Sequence, residues 1–261
     1  MKEFRTLEIS YDERNVANVR LNLPEKRNAL SATMIDELTD MAQAFGENDE
    51  LRAIVLSGAG KVFCAGGDLN WMKTQIKADR EERIKQARKL ALMLKALNEI
   101  PKPLIGKIHG GAFGGGVGLA CVCDVAIAEK GTKFGLTETR LGLIPATIGP
   151  YVLARMGESN ARRVLMSARI FAADEAKALG IVANVVDEDA LDAAVEAEVK
   201  PYLSTAPMAV GEAKKLTRAL GPRIDMAVID DTIRRLADIW EGEEAAQGID
   251  AFLNKKPAPW A

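Results

Sequence analysis

The sequence contains one histidine, His109, in 261 residues. That scarcity excludes multi-histidine metal sites and HExxH helices, and any Ser-His or Cys-His scheme has only this ring to use. His109 follows an apolar strand-like run and precedes Gly110, the setting of a structural histidine at a strand end. Cysteine is nearly as rare. Cys64, Cys121 and Cys123 form no CxxC pair, and the chain is long enough to build a core without disulfides, so a reducing cytoplasm is the expected location. An excess of charge is missing too. Lys+Arg 35 against Asp+Glu 37 gives a net charge of -2, which lacks the basic surface of a nucleic-acid or anionic-membrane binder. Neither partner is expected. No stretch of about 18 apolar residues occurs, and the opening MKEFRTLEIS is too polar for a signal peptide.

Short runs rich in Val, Ile and Leu at 16–23, 53–56, 104–108, 125–128 and 181–186 alternate with helical patterns, which indicates an α/β fold. Ser31 is a candidate N-cap for a helix with Met34, Ile35, Leu38, Met41, Ala42 and Phe45 at spacings of three and four, ending near Gly46. A longer helix is expected over 79–99, stopped by Pro101 and Pro103. Beyond about Asp189 the strand signal gives way to helical windows at 191–203, 206–220 and 224–240. Their apolar candidates, Leu216, Met226, Ile229, Ile233, Leu236 and Ile239, are expected to pack on the main domain or on another subunit. The end, with Lys255 and Lys256, reads as a short basic tail.

The densest glycine cluster, GGAFGGGVG at 110–118, follows the strand-like run 104–108. Such a turn brings backbone N–H groups close to a ligand, and a helix beginning near Val117 would aim its unpaired N–H groups at the same place. Standard phosphate loops do not fit. Counted from Gly116 and Gly118, GxGxxG meets Cys121 where glycine is required, and no GxxxxGK[ST] occurs. A second strand-to-glycine unit runs from 53–56 through SGAG (57–60) to KVFCAGGDL (61–69). If the two strands are neighbours, an N–H from each turn can converge on one oxygen as a main-chain oxyanion hole. Ordinary turns are the alternative. Cys64 as a thiolate nucleophile lacks a convincing histidine partner, and Asp68 and Asp124 fit turn anchors better than chemistry.

The segments FCAGGDLNWM (63–72), HGGAFGGGVGL (109–119) and FGLTETRLGLIPA (134–146) resemble the three signatures of the enoyl-CoA hydratase/isomerase, or crotonase, superfamily. LNLPEKRNALS (21–31), AADEAKALGIVANVV (172–186) and AFLNKKPAPW (251–260) are also similar to that family, so the resemblance spans nearly the whole chain. It implies a crotonase-like ββα spiral over residues 1–190 and a helical trimerisation region over 191–261, assembled as a homotrimer or a dimer of trimers. It also implies a coenzyme A thioester substrate, with no metal and no cofactor apart from that coenzyme A.

Matched position by position, the family's two oxyanion donors fall on the backbone N–H groups of Gly67 and Gly115, and its acid/base glutamate on Glu138. An apolar setting would raise the Glu138 pKa and suit it to proton transfer near neutrality. Glycine at position 67, where many relatives carry alanine, should be tolerated, because only the main chain is used and the extra backbone freedom is a modest cost. The first glutamate of the two-glutamate hydratases falls on Gly118, which can carry no proton. The resemblance places coenzyme A recognition at Lys26, Arg27 and Ala29 and at Ala65, Asp68 and Leu69, and makes Trp71 and Met72 candidates for the acyl wall. Phe252 and Lys255 match tail residues that reach the adenine end of an adjacent subunit's ligand. DLNWMK, GGVGL and LTETRLGLIPATIGPYV are similar to a bacterial subgroup associated with hydration of 3-methylglutaconyl-CoA or isohexenylglutaconyl-CoA in leucine and acyclic-terpene degradation. One glutamate serves hydration or double-bond isomerisation. A non-catalytic acyl-CoA-binding protein is the third reading.

Overall fold

The computed structural model describes residues 4–261. Strands β1 (Leu7–Tyr11) and β2 (Val16–Leu21) make an antiparallel hairpin whose turn is held by Asp12, a side-chain acceptor for the N–H groups of Arg14 and Val16. Helix α1 (Ala32–Gly46) starts where Ser31 Oγ accepts from the N–H of Met34 at 3.2 Å, and it buries Met34, Ile35, Leu38, Met41 and Phe45. After β3 (Ala53–Gly58) come α2 (Leu69–Lys77) and α3 (Arg80–Glu99), the latter capped by Asp79 accepting from Glu82 N–H at 2.9 Å. Then follow β4 (Leu104–Ile108), β5 (Gly111–Phe113), α4 (Gly115–Val122), β6 (Val125–Glu129) and β7 (Lys133–Gly135). The second half holds α5 (Gly149–Leu165), broken at left-handed Gly157, and then β8 (Ile170–Ala172), α6 (Ala173–Ala178) and β9 (Asn184–Val186). Helices α7 (Leu191–Val199), α8 (Pro207–Leu220), α9 (Met226–Trp240) and α10 (Glu243–Leu253) complete the chain.

The main sheet has the order β1-β2-β3-β4-β6-β9 and is parallel except for the β1–β2 pair. A smaller sheet, β5-β7-β8, stands beside it. β3 is buried on both faces, which is why it is an uninterrupted apolar run. Ile54 and Leu56 enter the large core with α1, α3 and α4, whereas Ala53 and Val55 meet Leu191, Val195 and Val199 of α7 on the other face.

Several sequence expectations need correction. The strand expected over 16–23 stops at Leu21, because Pro24 opens a tight 3-10 turn. Of 181–186 only Asn184–Val186 pairs, since the Ile181 N–H closes α6 by donating to the Ala176 carbonyl. Pro201 interrupts the window 191–203, so α7 ends at Val199. That helix packs on the main sheet through Leu191, Val195 and Val199. Ile229 and Ile233 of α9 bury against Ala87 and Ala91 of α3, while Leu216, Met226 and Ile239 stay exposed. The expected basic tail, with Lys255 and Lys256, follows helix α10. No helix among the described residues is long and apolar enough to cross a membrane.

Candidate active site

Three backbone segments lie side by side where β3 and β4 end. Phe63 N–H donates to the His109 carbonyl at 2.9 Å, Cys64 N–H to Gly111 at 3.1 Å, and Phe113 N–H returns to Cys64 at 3.0 Å. On the other side Ala65 N–H donates to Arg27 at 3.0 Å, Leu30 N–H to Gly66 at 2.7 Å, and Asp68 N–H to Leu30 at 3.2 Å. In this parallel bridge the bonds on Leu30 use the neighbours of Gly67, so the Gly67 N–H faces away from Leu30 and has no partner among the described residues. Gly115 opens α4, and its N–H has no acceptor either. Helix α4 thus begins two residues before the expected Val117.

Close packing explains much of the glycine cluster. At Gly110, with φ +60°, a Cβ would lie 1.9 Å from the Lys61 carbonyl oxygen. Gly67 differs, because a Cβ there meets nothing within 4 Å.

Gly67 and Gly115 both line a cavity of about 770 Å³. Glu138, on the 3-10 turn Glu138–Leu141, lines it too. Its Oε2 is out of solvent with no hydrogen-bond partner. Burial pushes the carboxyl pKa up to about 7, against the smaller opposing effect of its own backbone N–H. A carboxylate so placed exchanges protons near neutrality, and two free N–H groups beside it can hold negative charge on an oxygen. No second carboxylate fits at Gly118. A Cβ there would fall 2.5 Å from Ile148 Cγ2 and 3.7 Å from Leu94 Cδ2, both buried side chains.

Lys26, Arg27, Ala29, Ala65, Asp68, Leu69, Trp71, Met72 and Phe252 all border this cavity. Lys255 does not. It takes a left-handed turn that closes α10, with Lys256 N–H on the Ala251 carbonyl at 2.8 Å, and is exposed. Phe252 borders the cavity of its own chain. Asp68 is a turn anchor, accepting from the N–H groups of Asn70 and Trp71, each at 2.9 Å, at the start of α2. Asp124 accepts from Leu104 N–H and Lys214 Nζ, each at 2.7 Å. His109 Nε2 lies 2.9 Å from the Gly60 carbonyl oxygen. Cys64 is buried and its thiol is pushed up to about 12, far from a thiolate.

Sequence reasoning missed the far wall, where Leu236 and Trp240 of α9 join Leu141 and Leu143. Helical spacing marked Leu236 as apolar but carried no information about what it would face.

The family model described as enoyl-CoA hydratase/isomerase matches residues 12–261. The chain belongs to the enoyl-CoA hydratase/isomerase family. The crystal structure of an enoyl-CoA hydratase from Shewanella pealeana is 37% identical, with a TM-score of 0.81 over 99% of this chain and 97% of that one. The short-chain-enoyl-CoA hydratase of Clostridium acetobutylicum is 30% identical over 94% of this chain and 93% of its own length. The mitochondrial methylglutaconyl-CoA hydratase of Mus musculus is 29% identical over 98% of this chain and 82% of its own. This is a family of enzymes, and the mixed α/β fold with its C-terminal helices is that of its solved members.

Proposed function

We propose that the protein adds water to a 2-enoyl-CoA thioester of the 3-methylglutaconyl type, with Glu138 as the only acid/base group. The observation that carries this reading is a buried, unpartnered carboxyl oxygen on Glu138, whose pKa is pushed up to about 7, bordering one cavity with two unpaired backbone N–H groups. The thioester oxygen accepts from Gly67 and Gly115. Glu138 takes a proton from water as the hydroxyl bonds to the β carbon, and the double-bond electrons move onto the thioester oxygen. Glu138 then gives that proton to the α carbon on the same face. Each oxyanion donor is worth about 3 kcal/mol of barrier, roughly 100-fold in rate.

Lys26 and Arg27 supply charge for the coenzyme A phosphates, Phe252 an apolar contact for its far end, and Trp71 and Met72 the acyl wall. Coenzyme A is part of the substrate, and no other cofactor or metal is required. The exposed Met208, Leu216 and Leu220 of α8 suit a face buried in a homotrimer or dimer of trimers. A cytoplasmic location completes the reading.

Isomerisation is the second reading, and Ile148 favours it. Apolar atoms of Ile148 and Leu94 stand where a second carboxylate would hold a water. Glu138 would then remove the α proton of a 3-enoyl-CoA and return it to the γ carbon.

Absorbance of the conjugated thioester separates these. Loss of the band from crotonyl-CoA or 3-methylglutaconyl-CoA, with the 3-hydroxyacyl product confirmed by mass, is the expected result. Gain of the band from a 3-enoyl-CoA alone means isomerase. Silence in both, with acyl-CoA still bound, means a binding protein.

A further inference from the structure

Asn28 is the one residue between Glu25 and Leu30 that does not border the cavity, and it is fully buried. Its amide Nδ2 donates to the carbonyls of Ala59 at 2.8 Å and Val62 at 2.9 Å, and its Oδ1 accepts from Leu23 N–H at 3.0 Å. Ala59 and Val62 lie in the turn that leads from β3 to Gly67, so one side chain ties that turn to the segment 23–28. Arg27 and Asn28 both take left-handed φ values, 54° and 53°, a conformation that persists in non-glycine residues only where the surroundings over-determine it. This bend delivers Leu30 into register with Gly66 and Asp68.

Leu30 then touches both candidate donors. Its backbone carries the two hydrogen bonds that flank Gly67, and its side chain packs so closely over Gly115 that a Cβ there would fall 2.5 Å from Leu30 Cδ1. Gly67 comes from the turn after β3 and Gly115 from the start of α4, and they are not bonded to each other, so their separation depends on what lies between them. Leu30 lies between them, and Asn28 fixes the bend that places Leu30.

We infer that Asn28 is the positioning residue of the oxyanion hole, setting the Gly67 and Gly115 N–H groups through Leu30 without touching substrate. This rests on the hole proposed above. Removing its two donors leaves the carbonyls of Ala59 and Val62 unpaired in the interior and frees the turn. A misplaced donor loses the developing charge rather than the ligand, so the loss falls on kcat.

The test compares wild type with Asn28→Ser, which keeps one donor, and Asn28→Ala, which keeps none. Three quantities are measured: kcat and KM on the best enoyl-CoA, unfolding midpoint, and the infrared carbonyl frequency of a bound thioester carrying a ¹³C label. The expected result is a fall in kcat of about 10-fold for Ser and about 100-fold for Ala, with KM within about threefold, matching the loss of up to one oxyanion donor. The carbonyl shift of the bound thioester should shrink toward the free value in the same order. If Asn28→Ala does not fold, the Ser variant decides alone. A folded variant that is merely less stable, with kcat and carbonyl shift unchanged, overturns the inference and leaves the hole standing. An unshifted carbonyl in the wild type overturns the hole, and this inference with it.

Discussion

Glu138 and Lys214 are both withdrawn from water, but their surroundings treat them differently. Lys214 Nζ donates to Asp124 at 2.7 Å and to the Lys102 carbonyl at 3.1 Å, and Asp124 in turn accepts from the first N–H of β4. Burial pulls the ammonium's pKa down and Asp124 pulls it back up. Glu138 Oε2 has no partner at all, and burial acts on that carboxyl almost unopposed. A charge removed from water and given partners holds a strand, a helix and a loop together. One removed from water without them stays ready to exchange a proton, which is where perturbed groups in clefts mark chemistry.

The sharpest way to break this contrast is Glu138→Gln. Loss of the acid/base group should lower kcat by about 10²- to 10⁴-fold, checked by steady-state assay on the best enoyl-CoA, while the fold is kept. A variant with full activity removes Glu138 from the chemistry. The mirror experiment is Lys214→Met, which leaves the half-buried Asp124 with only its Leu104 N–H and should cost about 1–3 kcal/mol by urea unfolding, with kcat of the folded fraction within about twofold. If Lys214→Met instead abolished turnover at unchanged stability, the two sites would have exchanged roles.

A third test uses pH. The Glu138 pKa of about 7 lies above its ordinary 4.5, so the fold prefers the protonated form. The stability this gives is fully present below pH 4.5 and is lost as pH rises through 7. Glu138→Gln should therefore be more stable than wild type by about 3 kcal/mol at pH 8, and by under about 1 kcal/mol at pH 5, read from urea midpoints. Turnover that needs the carboxylate as base should rise with pH and reach half its plateau near pH 7. Smaller effects belong to two glycines. Gly118→Ala presses on the stiff, buried Ile148 and should cost about 1–3 kcal/mol. Gly67→Ala enters open space, and its unfolding midpoint should stay within about 0.5 kcal/mol of wild type.

Local signals carried the parts of the fold that local physics decides. Ser31 and Asp79 cap their helices as their types and spacings require, and β4 occupies the whole of its apolar run. The three-residue strands β5, β7 and β8 were not legible, because each exists only by pairing across the chain. The site divides in the same way. Glu138 and the two glycine turns could be located by motif. Asn28 sat within a recognised segment, but its burial and its bonds to Ala59 and Val62 depend on a contact more than thirty residues away. Ile148 was invisible for a similar reason: it fills the space over Gly118 from thirty positions downstream.

The cavity draws its walls from Glu25 through Phe252, with α9 supplying Leu236 and Trp240 near the end of the chain. During synthesis at about 5–20 residues per second, the apolar wall of the cavity is made well before the helix that covers it. For several seconds a growing chain holds the sheet and both glycine turns with that wall open. A chain cut short before α9 would display as a sticky surface what the folded protein encloses in this cavity.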